Sequence, residues 1–314
     1  MSLMFNLLKS DIYRLVHGKM LWVSLTMLAL LVAGAVGLLW FATTPTFAQM
    51  VNDQAAANAE EAGSASSSDA GLKIAASNGA DLAPDEIASL NEKTMDSRTY
   101  SYAQILVAST AIGILSSLIA ALYLASDFDT GYAKNVFAGR TRRASYYAEK
   151  LVLCGILCAV FLLAGMFLCD AAFALSGFSV RRVESFGEYW AWAGLAWLAC
   201  MVYVTATAAV VWLARSKTAG VVFAILVASG LFASILMTVA QALSPAIPLL
   251  GELAKWLPAN GMKLLMSGGA GLLSSTEGTA LAGLTVPAQI GMVSTVAVAA
   301  CAVLSQTLCK RKDV

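Results

Sequence analysis

The chain has 314 residues, of which 59% are hydrophobic and only 12% charged, with a formal net charge of +1. Soluble domains carry about 25% charged residues, so the soluble two-domain protein that the length alone would allow is excluded, and no nucleic-acid partner is expected. The mean hydropathy of +0.74 points to a membrane protein.

Six stretches lack charged residues and are long enough for one crossing each: Lys19 to Asp53, Arg98 to Asp127, Lys150 to Asp170, Glu188 to Arg215, Lys217 to Glu252 and Glu277 to Lys310. About 20 apolar residues, rising about 1.5 Å each, cross a hydrocarbon core of about 30 Å. Backbone groups in lipid must bond within the segment, so the spans are helices. The predicted fold is an all-α polytopic membrane protein with six transmembrane helices, over 20–41, 103–126, 151–174, 190–214, 218–241 and 287–308. These belong to one permease-like domain over 20–314, preceded by a leader over 1–19.

In chain order, the leader Met4–His17 is expected to form an amphipathic interfacial helix. Phe5, Leu8, Ile12, Leu15 and Val16 share one arc, while Asn6, Ser10, Asp11 and Arg14 are expected to face away. His17, the sole histidine, has no carboxylate or cysteine company that would make a metal site. The first span follows a turn at Gly18 and exceeds a signal-peptide core, so it is read as retained. The loop over 42–102 carries nine acids and three bases. Its stretch 53–70 is too poor in large apolar side chains to pack, and 84–96 reads as a short helix.

The loop after the second span reads Asp127-Phe128-Asp129-Thr130-Gly131-Tyr132-Ala133-Lys134-Asn135-Val136-Phe137-Ala138-Gly139-Arg140-Thr141-Arg142-Arg143, running on to Tyr146 and Lys150. Residues 127–138 are predicted to form a short helix with an acidic start and with Tyr132, Val136 and Phe137 on one side, ending at Gly139. A compact amphipathic element between acids and bases is expected to serve as a docking surface for another protein.

Farther along, Asp170 is the candidate intramembrane polar site, near one end of the third span. Tyr189, Trp190 and Trp192, with Trp22 and Trp40, sit at span ends and suit an interfacial aromatic belt. The stretch 242–286 holds Pro245, Pro248 and Pro258, a Gly-rich Ser267–Gly271 and two apolar pieces too short to span. A pair of re-entrant or interfacial segments fits it. The six cysteines fall in or at the ends of spans and read as small packing residues.

Thirteen of the 20 basic residues lie close to span ends on the side shared by both termini. The positive-inside rule puts that side in the cytoplasm. No Gly-x-x-x-x-Gly-Lys-Ser/Thr phosphate loop is present, and no protease or hydrolase motif. The chain is therefore not expected to be an enzyme.

The spacing Asp127-Phe-Asp-x-Gly131-x-x-Lys134-Asn135, then Gly139-Arg-x-Arg-Arg143, then Tyr146 and Lys150, resembles the first cytoplasmic loop of ABC-2-type permeases. The likeness is closest to the bacterial branch linked to lantibiotic and bacitracin self-protection and multidrug export. The leader resembles that family's elbow helix, and 242–286 its external re-entrant hairpin. The resemblance implies an ABC exporter permease in a bacterial inner membrane that moves an amphipathic peptide, drug or lipid. ATP and magnesium would bind a separate ABC ATPase subunit, and this chain would bind no cofactor directly. A second permease chain would complete a homodimer or heterodimer in the lipid bilayer. The coupling surface would comprise Asp127, Phe128, Asp129, Thr130, Gly131, Tyr132, Lys134, Asn135, Phe137, Arg140 and Arg143. The long Ala/Ser-rich loop over 42–102 departs from the pattern, so no particular substrate carries over. Two alternatives stand beside this reading: an ion-coupled carrier using Asp170, and a non-transporting receptor or immunity subunit using the external loop.

Overall fold

The computed structural model describes residues 2–44, 46–47, 49–50, 97–138, 143–180, 183–243, 255–274 and 284–310. All regular secondary structure among the described residues is helical. The predicted helix over 84–96 and the low-complexity stretch 53–70 lie outside them, as do Gly139–Arg142 and most of the apolar piece around 249–257.

Helix α1 (Ser2–His17) turns at Gly18 into α2 (Lys19–Ala42). After the loop, α3 (Arg98–Tyr102) leads through a π-helical segment (Ala103–Ala108) to α4 (Ala111–Asp129). Then come α5 (Tyr132–Ala138), the long α6 (Arg143–Ser176) and α7 (Phe186–Ala214). Helices α8 (Lys217–Ala228) and α9 (Leu231–Leu243) are followed by α10 (Pro258–Leu265), α11 (Gly268–Ser274) and α12 (Val286–Lys310).

Five helices are long and apolar enough to cross a membrane, and the α8–α9 pair, bent by 50° at its break, makes a sixth if it is one span. The chain is a multi-pass, all-helical membrane protein. Local signals place the ends. Ser97 accepts from the Tyr100 amide at 3.1 Å and starts α3. Ser185 and Glu188 form a reciprocal capping box that starts α7. Ser216 caps α8 through the Ala219 amide.

Helix α7 is central and packs against α4, α6, α8 and α12. In lipid, helix association is driven by close packing rather than by removal of apolar surface from water. Buried Ala193, Ala196, Ala199 and Ala208 on α7 permit that close approach. The peripheral α2 buries only one stripe, Leu21, Ser24, Leu28, Val32 and Val36, at helical spacing. Its Trp22, Val23, Met27, Leu30 and Leu38 are exposed, as a lipid-facing helix requires.

Five expectations change. The span predicted over 218–241 is not one continuous helix but breaks between Ala228 and Leu231 with a 50° bend. The second membrane-crossing helix is not a continuous run from 103: its chain enters through α3 and the π segment, and regular α-helix begins at Ala111. Residues 127–129 belong to α4, so the short helix begins at Tyr132 rather than Asp127. Trp192 is fully buried rather than part of a belt, and its indole donates to the Leu265 carbonyl at 3.1 Å. Finally, Asp11 on α1, expected to face away, is 1% exposed, while Ser10 is exposed and Leu15 packs on the core as expected.

Candidate functional site

The turn that mounts the predicted coupling element is set by two residues. Thr130 closes α4 with its amide and hydroxyl on the Ser126 carbonyl at 2.9 and 2.7 Å. Gly131 takes φ +70°, where a side chain would be strained. Its carbonyl then accepts from the Asn135 amide at 3.2 Å and opens α5.

The predicted surface residues divide between outside and inside. Asp129, Thr130 and Asn135 are exposed, and Gly131 is half-buried. Phe128, Tyr132 and Val136 are half-buried against the core and anchor the tip. Lys134 and Phe137 lie along α5, Arg143 begins α6, and Arg140 falls outside the described residues. Asp127 is fully buried and belongs to the support beneath the tip.

That support is an ion network joining three parts of the chain. The Lys150 ammonium, on the first turns of α6, lies 2.6 Å from Asp127 and 2.5 Å from Asp11. All three side chains are at most 1% exposed. Arg14 reaches Asp127 at 3.2 Å and Asp11 at 3.4 Å. The Tyr146 hydroxyl donates to Asp127 at 2.8 Å, and the Tyr123 hydroxyl donates to the Asp11 carbonyl at 3.3 Å. Tyrosine rings wrap the cations, with Arg14 4.3 Å from the Tyr132 ring centre and Lys150 4.9 Å from that of Tyr123. Glu149 is buried beside Asp11 and adds a third acid to two cations.

Burial lowers the Arg14 pKa, but Tyr123, Asp127 and Asp11 outweigh it and leave it raised. Burial raises the Tyr132 hydroxyl, with Asp11 adding to it. Arg14 is therefore a fixed cation and Tyr132 a neutral ring. Lys150, Asp11 and Asp127 tie α1, the end of α4 and the start of α6 together, since these cannot separate without stranding charge, while both Glu149 carboxylate oxygens are buried with no hydrogen-bond partner among the described residues.

The opposite end of α6 carries a second network. Asp170 accepts from Arg98 Nε at 3.0 Å, from a second guanidinium nitrogen and from the Tyr102 hydroxyl. The Asp170 hydrogen bond raises the Arg98 pKa most, and burial pushes up Tyr102. Glu184 accepts from the Thr99 hydroxyl at 2.6 Å, the Thr99 amide at 3.2 Å and the Ser97 hydroxyl. The Thr99 hydroxyl also accepts from the Gly269 amide at 2.6 Å, tying α11 to this end. Asp170 is thus a paired acid. No charged residue falls midway along any predicted span.

The chain matches no family model, no curated protein and no solved structure. Among the described residues no cluster of three His, Cys, Asp or Glu is placed to hold a metal. Cys154, Cys158, Cys169 and Cys200 are buried free thiols, and Cys301 is a half-buried one.

The sequence reading missed Asp11, Arg14, Tyr123 and Glu149. Their signal was present as opposite charges crowded at one predicted membrane edge: Asp11 and Arg14 before the first span, Asp127 at the end of the second, and Glu149 with Lys150 at the start of the third.

Proposed function

We propose that this chain is the membrane permease subunit of an ATP-driven ABC exporter that moves an amphipathic molecule out of the cell or its membrane. The Lys150 end is cytoplasmic, in keeping with the basic residues near the span ends on that side. A separate ATPase subunit docks on the exposed tip formed by Asp129, Thr130 and Asn135.

The observation that carries this reading is the buried Asp11–Lys150–Asp127 network directly beneath that tip. A docking surface that must move helices needs a rigid lever, and this network fixes the tip to α1 and to the start of α6. Both paired charge clusters lie at bundle ends, which favours the exporter over a carrier with an unpaired acid at mid-membrane. The exposed apolar faces of α2 and α9 leave surface for lipid or for a second permease chain.

Affinity purification of the tagged chain from its native membrane, in wild-type form and as Asp129→Ala/Asn135→Ala, tests this. An ATP-binding subunit should accompany the wild type and be lost from the variant, with the thermal stability of the variant unchanged. If no ATP-binding protein accompanies the wild type under mild crosslinking, the proposal fails.

A further inference from the structure

Two backbone breaks and the short α10 converge on one cavity of about 200 Å³. The first break lies between the π segment and α4. Thr110 there takes φ +55°, a left-handed conformation that β-branched residues rarely adopt. The second is the 50° bend between α8 and α9, with Gly230 at φ +75°. Thr110 and Gly230 both line the cavity. Broken helices persist at membrane depth where they line a cavity or are buried in protein. Strained backbone and π-helical turns concentrate at functional sites.

The remaining lining is chemically one-sided. Leu106, Met237, Met262 and Met266 make a flexible apolar wall. Among the described residues no Asp or Glu lines the cavity. Lys263 of α10 does, and because it is also exposed it stands at the opening. Its ammonium forms no ion pair with any described residue. Drug-sized ligands sit in pockets of roughly 300–1,000 Å³, so this smaller, open cavity takes a short stretch of hydrocarbon chain, with the rest of the chain running out of its opening, and excludes a folded peptide.

We propose that this cavity binds the hydrocarbon chain of an anionic amphiphile, with its carboxylate or phosphate head group on Lys263. The two helix breaks give the chain a slot that continuous helices would fill with their own side chains. The methionines adapt to chain length. The site belongs to this chain alone and does not depend on the exporter reading.

The test uses the purified full chain in phosphatidylcholine nanodiscs, without nucleotide or partner. A diazirine-bearing fatty acid, its fatty-alcohol analogue and a diazirine-bearing phosphatidylglycerol are photolysed in parallel, and labelled peptides are located by mass spectrometry. The fatty acid should label peptides containing Met237, Met262 or Met266 saturably. The alcohol should label them roughly tenfold less, as loss of a charge-assisted contact implies. Lys263→Gln should bring the acid down to the alcohol level, and this exposed position leaves the fold intact. Ala233→Trp, which fills the cavity, should remove labelling by both. Labelling by phosphatidylglycerol but not by free acid supports the site and identifies the bilayer as the ligand's source. Equal labelling by acid and alcohol, unaffected by Lys263→Gln, would overturn the proposal, as would labelling spread over the exposed faces of α2 and α9.

Discussion

The two ends of α6 hold their charges in different ways. Lys150 is completely enclosed and shared between two buried carboxylates from distant parts of the chain. Asp170 pairs with Arg98 while remaining 35% exposed. Taking an ion out of water costs several kcal/mol, which is recovered only when its partners are complete. A half-exposed pair retains water as a substitute partner and is worth less. The Lys150 network is therefore an all-or-none joint between helices, whereas the Asp170 network is a clamp that can loosen by degrees.

The comparison breaks most visibly at Lys150. Lys150→Ala leaves Asp11 and Asp127 buried without their cation, and a loss of about 3–5 kcal/mol is expected. Detergent-solubilised protein should show a large fall in melting temperature or fail to accumulate. Glu149→Gln is the opposing control: it removes the surplus acid from the same pocket, so its melting temperature should match or exceed that of the wild type. If both variants were equally damaged, charge balance would not be what holds this joint.

At the other end, Arg98→Ala should cost about 1–2 kcal/mol, the worth of a charge-assisted contact that water can partly replace. The loss should shrink at high salt, which a melting series in increasing sodium chloride measures. The exchanged pair Arg98→Asp/Asp170→Arg should recover part of it.

The smallest effect is the pH response of Glu184. Burial raises its pKa, but the Ser97 and Thr99 hydrogen bonds outweigh that and leave it lowered. Its stabilisation is therefore fully present above the ordinary glutamate value of about 4.3 and is lost as pH falls through the lower folded value. The protection of the Thr99 and Gly269 amides, relative to their intrinsic exchange rates, should fall below about pH 4 in the wild type, and Glu184→Gln should remove that change in protection.

The spans were legible because uncharged runs of membrane length are a one-dimensional signal. The bend at Gly230 was not, since a glycine followed by apolar residues reads as continuous hydropathy. The tip was legible only as a short helical element: the helix expected over 127–138 ran through Gly131, whose left-handed turn instead separates α4 from α5. Its support was misread. A helical wheel assigns Asp11 to water because the wheel contains no partner, and the partner, Lys150, lies 139 residues away. Trp192 was misplaced for the same reason, since its acceptor is the Leu265 carbonyl in a segment 73 residues distant. Periodicity reports which face is apolar. It does not report which polar group will find a complement in another helix.

The most direct measurement compares the two ends by crosslinking in native membranes. Asn135→Cys on the tip and Phe186→Cys, exposed at the Asp170 end, are each treated with a thiol-directed photocrosslinker, and attached proteins are identified by mass spectrometry. An ATP-binding subunit should attach through position 135 and none through position 186. Absence of an ATP-binding protein at 135, or equal attachment at both ends, would contradict the exporter reading.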